Sequence, residues 1–362
     1  MQDKPLVLVT GSTGLIGTAV LNSLRDRYEV VGFDVQQPVD DEWAGRWIHC
    51  DLTETQSVQA ALRSVRERYG SHLASVIHLA AFYDFSGEPN PLYQELTVEG
   101  SARLLHGLQE FDVEQFVFSS SLLVMQPVEE TANEGPISEA DPLAAKWPYP
   151  QSKLAAESTI LCDRGTIPVV ILRIAGVYDE ECNSIPISQH IHRIYERKLE
   201  SFFFPGDADH GQAFVHLQDA ADAVRLTVEA RNELDTVEVF LIGEEKVLSY
   251  RDLQEALGRL IHGKAWPTIR IPKVAAKAGA WMRGYLSEGQ FIKPWMVDLA
   301  DDDYPIETSR AQSKLGWSPH HSLEDSLYRM VIALKRDPVA WYRRHKLRHP
   351  DDPSGERAAA NQ

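Results

Sequence analysis

The chain has 362 residues, with 36 Lys or Arg against 53 Asp or Glu, a formal net charge of −17 with histidines neutral. A surface this acidic repels phosphate backbones and excludes nucleic-acid binding through a basic face. Apolar residues make up 43% and charged residues 25%, which excludes a disordered chain, and the length suits two domains or one large fold with an appended lobe.

Residues 6–9 form a continuous apolar run, the signature of a buried parallel strand. The run ends in Thr10-Gly11-Ser12-Thr13-Gly14-Leu15-Ile16-Gly17 and passes into a helical pattern through about residue 27. Apolar runs recur at 29–33, 47–50, 75–79, 115–118 and 169–173, and helical spacing at 58–69, 96–108 and 149–161. This alternation predicts an α/β fold, a doubly wound parallel sheet of Rossmann-like type with helices on both faces. After residue 178 the regularity breaks, and 237–242 reads as one more strand returning to the sheet. The expected division is a sheet domain of 1–178 plus about 213–245, a smaller, mostly helical C-terminal substrate lobe of 179–212 plus 246–335, and a polar flexible tail at 346–362.

The glycines at 11, 14 and 17 are spaced G-x-x-G-x-x-G between a strand and a helix. Such a turn lets a diphosphate approach backbone N–H groups at the positive end of a helix. A chance Gly-rich turn is the alternative, and the strand-to-helix context argues against it. Asp34 ends the second strand, 17 residues after Gly17. A carboxylate there accepts from both ribose hydroxyls and repels a 2′-phosphate, which favours NAD over NADP. Asp51 and Leu52 close the third strand, where an adenine edge fits, although Asp is also a common turn residue.

Tyr149 and Lys153 stand four apart, on one face of a helix. An ammonium beside a phenol stabilises phenolate, so the pair suits proton transfer to or from a secondary alcohol. Y-x-x-x-K alone is common. It gains weight from Ser119, Ser120 and Ser121 at the carboxyl edge of the fifth strand, where ligands of such sheets bind.

Taken together, these pieces resemble an extended short-chain dehydrogenase/reductase of the NAD-dependent epimerase/dehydratase group. The matching segments are TGSTGLIG at 10–17, Asp34, DL at 51–52, HLAA at 78–81, VFSSS at 117–121, YPQSK at 149–153, LRIAGVY at 172–178, FVHLQD at 214–219 and LGWSP at 315–319. The resemblance implies Tyr149 as acid/base, Lys153 lowering its pKa and holding the nicotinamide ribose, and Ser121 orienting the substrate oxygen. It places Leu79, Ala80, Ala81 and Ser119 close to the cofactor, with Ile174 to Val177 at the nicotinamide end. His78, His216 and Asp219 are read as structural, Asp219 as a helix cap. A homodimer is a further implication.

Three departures bear on substrate. Ser121-Leu122-Leu123 replaces the Thr-Asp-Glu of sugar-nucleotide 4,6-dehydratases, so no such activity is expected. Ile174-Ala175-Gly176-Val177 lacks the Asn usual in sugar-nucleotide epimerases, and Leu96-Thr97-Val98 lacks the usual Asn near the cofactor. Gln212-Ala213-Phe214 stands where those enzymes carry an Arg for the substrate diphosphate. Phe82 and Tyr83, in the aromatic run after HLAA, together with Trp147, suit a less polar small-molecule substrate, although ordinary packing between lobes is the commoner role of such residues. The resulting expectation is an NAD-dependent dehydrogenase or reductase acting on a substrate without a nucleotide. A sugar-nucleotide epimerase and a non-catalytic NAD-binding regulator are the alternatives.

Cys50, Cys162 and Cys182 fit neither a disulfide framework nor a zinc site, so no metal is expected and a reducing, cytoplasmic location suits them. The start shows no secretory signal, and no run of about 18 uncharged apolar residues marks a membrane span. Residues 272–286 are amphipathic and read as a helix over the pocket rather than a membrane-surface element.

Overall fold

The computed structural model describes residues 4–131, 135–277, 293–347 and 349. The expected tail thus lies almost entirely outside the described residues, as do nine residues of the amphipathic 272–286 segment.

Seven strands form the central sheet: β1 (Leu6–Thr10), β2 (Glu29–Asp34), β3 (Trp47–His49), β4 (Ser75–His78), β5 (Phe116–Ser121), β6 (Val169–Ile174) and β7 (Val237–Ile242). All pair in parallel, in the order β7-β6-β5-β4-β1-β2-β3. The order reverses between β1 and β4, and the crevice at that point receives ligands in sheets of this kind. Alternate residues of each strand face opposite layers. Val7 and Val9 pack with Leu21 and Leu24 of helix α1 (Leu15–Leu24) and Val224 and Val228 of a later helix (Leu217–Glu229). Leu6 and Leu8 face Leu62 and Val65 of α2 (Thr55–Tyr69), Leu104 of α3 (Glu99–Leu108) and Ile160 of α4 (Pro148–Asp163). Burial on both faces explains the unbroken apolar runs.

A third apolar core joins α5 (Ile185–Tyr195), α6 (Tyr250–His262) and α7 (Leu323–Arg336) through Ile187, Ile191, Leu257, Leu327 and Met330. Packing departs from the expected boundaries at two places. Tyr304, Ile306, Ala311 and Trp317 join the sheet's own core, and the helical core runs past 335 to Trp341 and Tyr342. Both segments follow their apolar side chains to the nearest unfilled layer, which chain order does not reveal.

β5 continues three residues beyond the apolar run, so Ser119, Ser120 and Ser121 are themselves extended and hydrogen-bonded to β6. His78 ties the middle of the sheet together. Its Nδ1 meets Thr10 Oγ1 at 2.7 Å and its Nε2 meets Ser101 Oγ at 2.9 Å. Burial first, and the nearby Lys153 charge second, push its pKa down to about 3, so the ring is neutral. Asp219 is not the helix cap. His216 Nδ1 caps by accepting from Gln218 N, whereas the Asp219 carboxylate accepts from His321 N and Nδ1, both at 3.0 Å, and fixes the loop before α7.

Candidate active site

The loop after β1 is shaped for close backbone approach. Gly11 has φ +67°, and a Cβ there would lie 2.8 Å from Ala80 N. A Cβ on Gly17 would overlap the Gly11 carbonyl, and Gly14 N donates to that same carbonyl at 3.2 Å. Only glycines allow the loop to fold this tightly against α1. Gly14, Leu15, Ile16 and Gly17 therefore bring the first turn of α1, with its outward N–H groups, to the wall of a cavity of about 640 Å³. Thr13 N donates to Asp34 Oδ2 at 3.0 Å, so β2 presents its carboxylate directly beside the loop. Asp51 Oδ1 accepts from Thr53 N and Oγ1, and Leu52 is buried against α3 below Gly100.

Across the cavity, α4 begins at Pro148, with its fixed φ suited to a first turn, and Tyr149 follows. Burial pushes the Tyr149 phenol up to about 12, opposed by a hydrogen bond with Ser121. Ser121 Oγ also accepts from Leu123 N at 3.2 Å. Lys153 is buried and donates from Nζ to the Ser119 carbonyl at 2.6 Å. Burial pulls its pKa down to about 7, partly offset by Glu157. The expectation that Lys153 lowers the tyrosine pKa differs from the resting site, where desolvation dominates and the lysine is turned to the β5 backbone.

Beneath this pair lies a network with no signal in the motif reading. Glu157, one turn after Lys153, accepts from Arg173 of β6 at 2.8 and 3.2 Å, and Ser120 Oγ also hydrogen-bonds Glu157. Both charged side chains are almost fully buried, 7% and 4% exposed. An acid four residues beyond the lysine and an arginine inside an apolar strand were the available hints, since unpaired burial of either is prohibitive.

The cavity joins the cofactor loop to Leu79, Ala81, Ser119, Ser121, Tyr149, Lys153, and the backbone at Ile174 to Val177. Tyr83 meets Tyr149 edge-on at 4.9 Å, and Trp147 lies 5.5 Å from it. Trp147 stacks on Trp295 at 4.9 Å, and Phe85 packs edge-on to Trp147 at 5.4 Å. Phe82 is placed elsewhere. Its ring packs on Tyr93 at 4.9 Å and its N–H is held by Thr97 Oγ1, because successive residues of an extended run face opposite ways. Trp295, whose Nε1 donates to the Ser86 carbonyl 209 residues away, is a wall residue that no local pattern could reveal. Ser12, Thr13, Asp34, Asp51, Leu52 and Ala80 lie off this cavity, around the loop and the ends of β2 and β3. Among the described residues, no group of His, Cys, Asp and Glu side chains could hold a metal ion, and no helix is long and apolar enough to cross a membrane.

A glycine cradle at the switch point, a carboxylate ending β2 and a Ser–Tyr–Lys constellation facing the cradle define a nicotinamide-dinucleotide oxidoreductase. The chain belongs to the NAD dependent epimerase/dehydratase family, whose profile matches residues 7–243, and is an NAD-dependent enzyme of the extended short-chain dehydrogenase/reductase type. Among curated proteins it is similar to human 3 beta-hydroxysteroid dehydrogenase type 7, 25% identical over 91% of this chain and 95% of that one. The decarboxylating sterol-4-alpha-carboxylate 3-dehydrogenase of Schizosaccharomyces pombe is 23% identical over 90% and 96%. Among solved structures, the UDP-glucose 4-epimerase of Thermus thermophilus in complex with NAD shares the fold, with TM-score 0.67 and 22% identity over 92% of this chain and 99% of that one.

Proposed function

We propose that the protein is a net dehydrogenase/reductase for a bulky, largely apolar secondary alcohol or ketone, of the kind its hydroxysteroid and sterol relatives are named for. The observation that carries this reading is the aromatic wall beside the Tyr149 hydroxyl, formed by Tyr83, Phe85, Trp147 and Trp295. Flat aromatic faces match a fused-ring body better than a sugar, whose hydroxyls need polar partners. A second feature agrees. Gln212 stands where sugar-nucleotide enzymes carry an Arg, and its Nε2 donates to the Asp302 carbonyl. The Asp302 carboxylate beside it is held by Lys146 at 2.8 Å, which leaves this wall poorly suited to a diphosphate.

The residues present fit NAD. The glycine loop would give a diphosphate backbone room, Asp34 would accept from the ribose hydroxyls of the adenosine half, and Lys153, beside Ser119, would hold the nicotinamide ribose. When bound, the nicotinamide accepts or supplies the hydride. In the oxidation direction, the Ser121 hydroxyl and the Tyr149 phenolate would hold the substrate oxygen, and the phenolate would take its proton as the hydride leaves for the nicotinamide. In reduction the same phenol gives that proton back. Lys153, in its protonated form, would supply positive potential that favours phenolate. The Trp147–Trp295 stack and Tyr83 exclude water from the transfer.

The test is turnover of NAD with a 3β-hydroxysteroid, read as NADH formation, beside conversion of UDP-glucose, read as epimer. The expected outcome is NADH formation from the steroid, lost about 10²–10⁴-fold in Tyr149→Phe with NAD binding retained. Epimerisation of the sugar nucleotide without steroid oxidation would replace this reading.

A further inference from the structure

One charged group on the cavity wall is not used by the chemistry above. Arg193 sits on α5, one turn after His190, and both face the cavity from the helical part of the chain. Around them the wall is apolar, with Ile187, Phe204 and Leu253. A guanidinium held against such a surface loses hydration that only strong acceptors replace.

The surroundings hold this arginine in place. Tyr250 stacks between Phe204, at 3.7 Å, and His190, at 5.0 Å, and its hydroxyl is hydrogen-bonded to Arg193. His190 Nε2 is fixed by Gln254 Oε1 at 3.1 Å, and Gln254 Nε2 is anchored on the Pro267 carbonyl and Thr268 Oγ1. The amide orientation makes His190 Nε2 the donor, and burial first, with the Arg193 charge second, pulls its pKa down to about 3, so the ring is neutral and oriented. Glu200 lies within electrostatic reach of Arg193. Within the guanidinium that Tyr250 and Glu200 engage, the buried Nη1 donor makes no hydrogen bond among the described residues, so it can take a further acceptor. A phenol that accepts from Arg193 still donates its own proton. Of the other cations of the cavity, Lys146 is held by Asp302 and Glu130, and Lys153 donates to the Ser119 carbonyl.

We propose that Arg193 and Tyr250 form an anion-recognition subsite that takes a carboxylate carried on the apolar body of the substrate, away from the reacting carbon. The wall that performs the chemistry is built by α4 and the wall that reads the anion by α5 and α6, so one substrate bridges the sheet domain and the helical part. This rests on the dehydrogenase reading above and narrows it to apolar hydroxy acids.

The experiment compares a 3β-hydroxysteroid bearing a carboxylate side chain with its methyl ester, on the full chain with NAD. The wild type is expected to prefer the acid, and Arg193→Gln to erode that preference about 10–100-fold, the value of a charge-assisted bond. Tyr250→Phe erodes it less, and Arg259→Gln, an exposed arginine on α6 paired with Glu255, leaves it unchanged. Equal use of acid and ester by the wild type, or a preference that survives Arg193→Gln, overturns the subsite. Calorimetric titration of the same pair, and of UDP, onto the NAD-bound protein separates the two readings. Arg193-dependent binding of the acid without turnover keeps the subsite and removes the dehydrogenase reading. Arg193-dependent binding of UDP but not of the acid assigns the arginine to a diphosphate and overturns the carboxylate proposal.

Discussion

Burial sets the resting protonation of the catalytic pair. The Tyr149 phenol is pushed up to about 12 and the Lys153 ammonium down to about 7, so at neutral pH the phenol keeps its proton and is poised as an acid. Ketone reduction needs that proton and alcohol oxidation needs it gone. The kcat/KM for oxidation is therefore expected to rise with pH from neutral into the alkaline range, and that for reduction to stay level until the pH nears the phenol's pKa of about 12. Profiles measured in both directions check this, and a flat oxidation profile would remove Tyr149 titration from the account. At the other end of the site, Asp34 Oδ2 holds Thr13 N, and a carboxylate so placed would repel a 2′-phosphate. Asp34→Ser should lower the preference for NAD over NADP at least about tenfold, the effect of about 1.4 kcal/mol, read as the ratio of kcat/KM for the two coenzymes.

Two elements carry the geometry, and both can be broken by one atom or one charge. The β1–α1 turn depends on Gly17, where a Cβ would overlap the Gly11 carbonyl and crowd the Ser12 backbone. Gly17→Ala should move the first turn of α1, weakening NAD binding more than it lowers the melting temperature, as paired calorimetric and thermal titrations would show. The α4–β6 contact depends on Glu157 and Arg173. Removing one partner of a buried pair leaves the other uncompensated and costs about 3–5 kcal/mol. Glu157→Gln is thus expected to destabilise the protein strongly in denaturant unfolding. A change below about 1 kcal/mol would mean that the pair is hydrated in solution.

These two elements also show where sequence was informative. The turn was legible because its requirement is local: strand, glycines at fixed offsets, helix. Tyr149, Lys153 and Ser121 were legible as motif residues whose spacing sets a helix face and a strand end. Phe82 and Tyr83 follow the same strand and share one sequence signal, but only Tyr83 of the two successive residues faces the cavity. Trp295, Arg193 and Tyr250 were not legible. Each reaches the cavity through contacts with residues far away in the chain, such as Trp295 on Ser86, and no period or motif encodes such a meeting.

For the whole molecule, the substrate cavity is a joint product of a conventional sheet and an unconventional helical part. The sheet's crevice supplies the cofactor cradle and the proton-transfer groups. The C-terminal part adds Trp295 to the aromatic wall and Arg193 and Tyr250 to a second polar point. Since NAD binds the folded form, it should stabilise by about 2.7 kcal/mol at a hundredfold excess over Kd, visible as a concentration-dependent rise in Tm, with NADP giving a much smaller one. The distinction between a net dehydrogenase and a redox-neutral epimerase lies in whether the coenzyme leaves between turnovers. The most direct measurement is to denature the purified protein and quantify any released nucleotide by mass spectrometry, then add NAD to the native protein and titrate its binding. The account predicts little retained nucleotide and reversible binding of NAD. Near-stoichiometric NAD that does not exchange would contradict the net dehydrogenase, and released NADP would contradict the reading of Asp34.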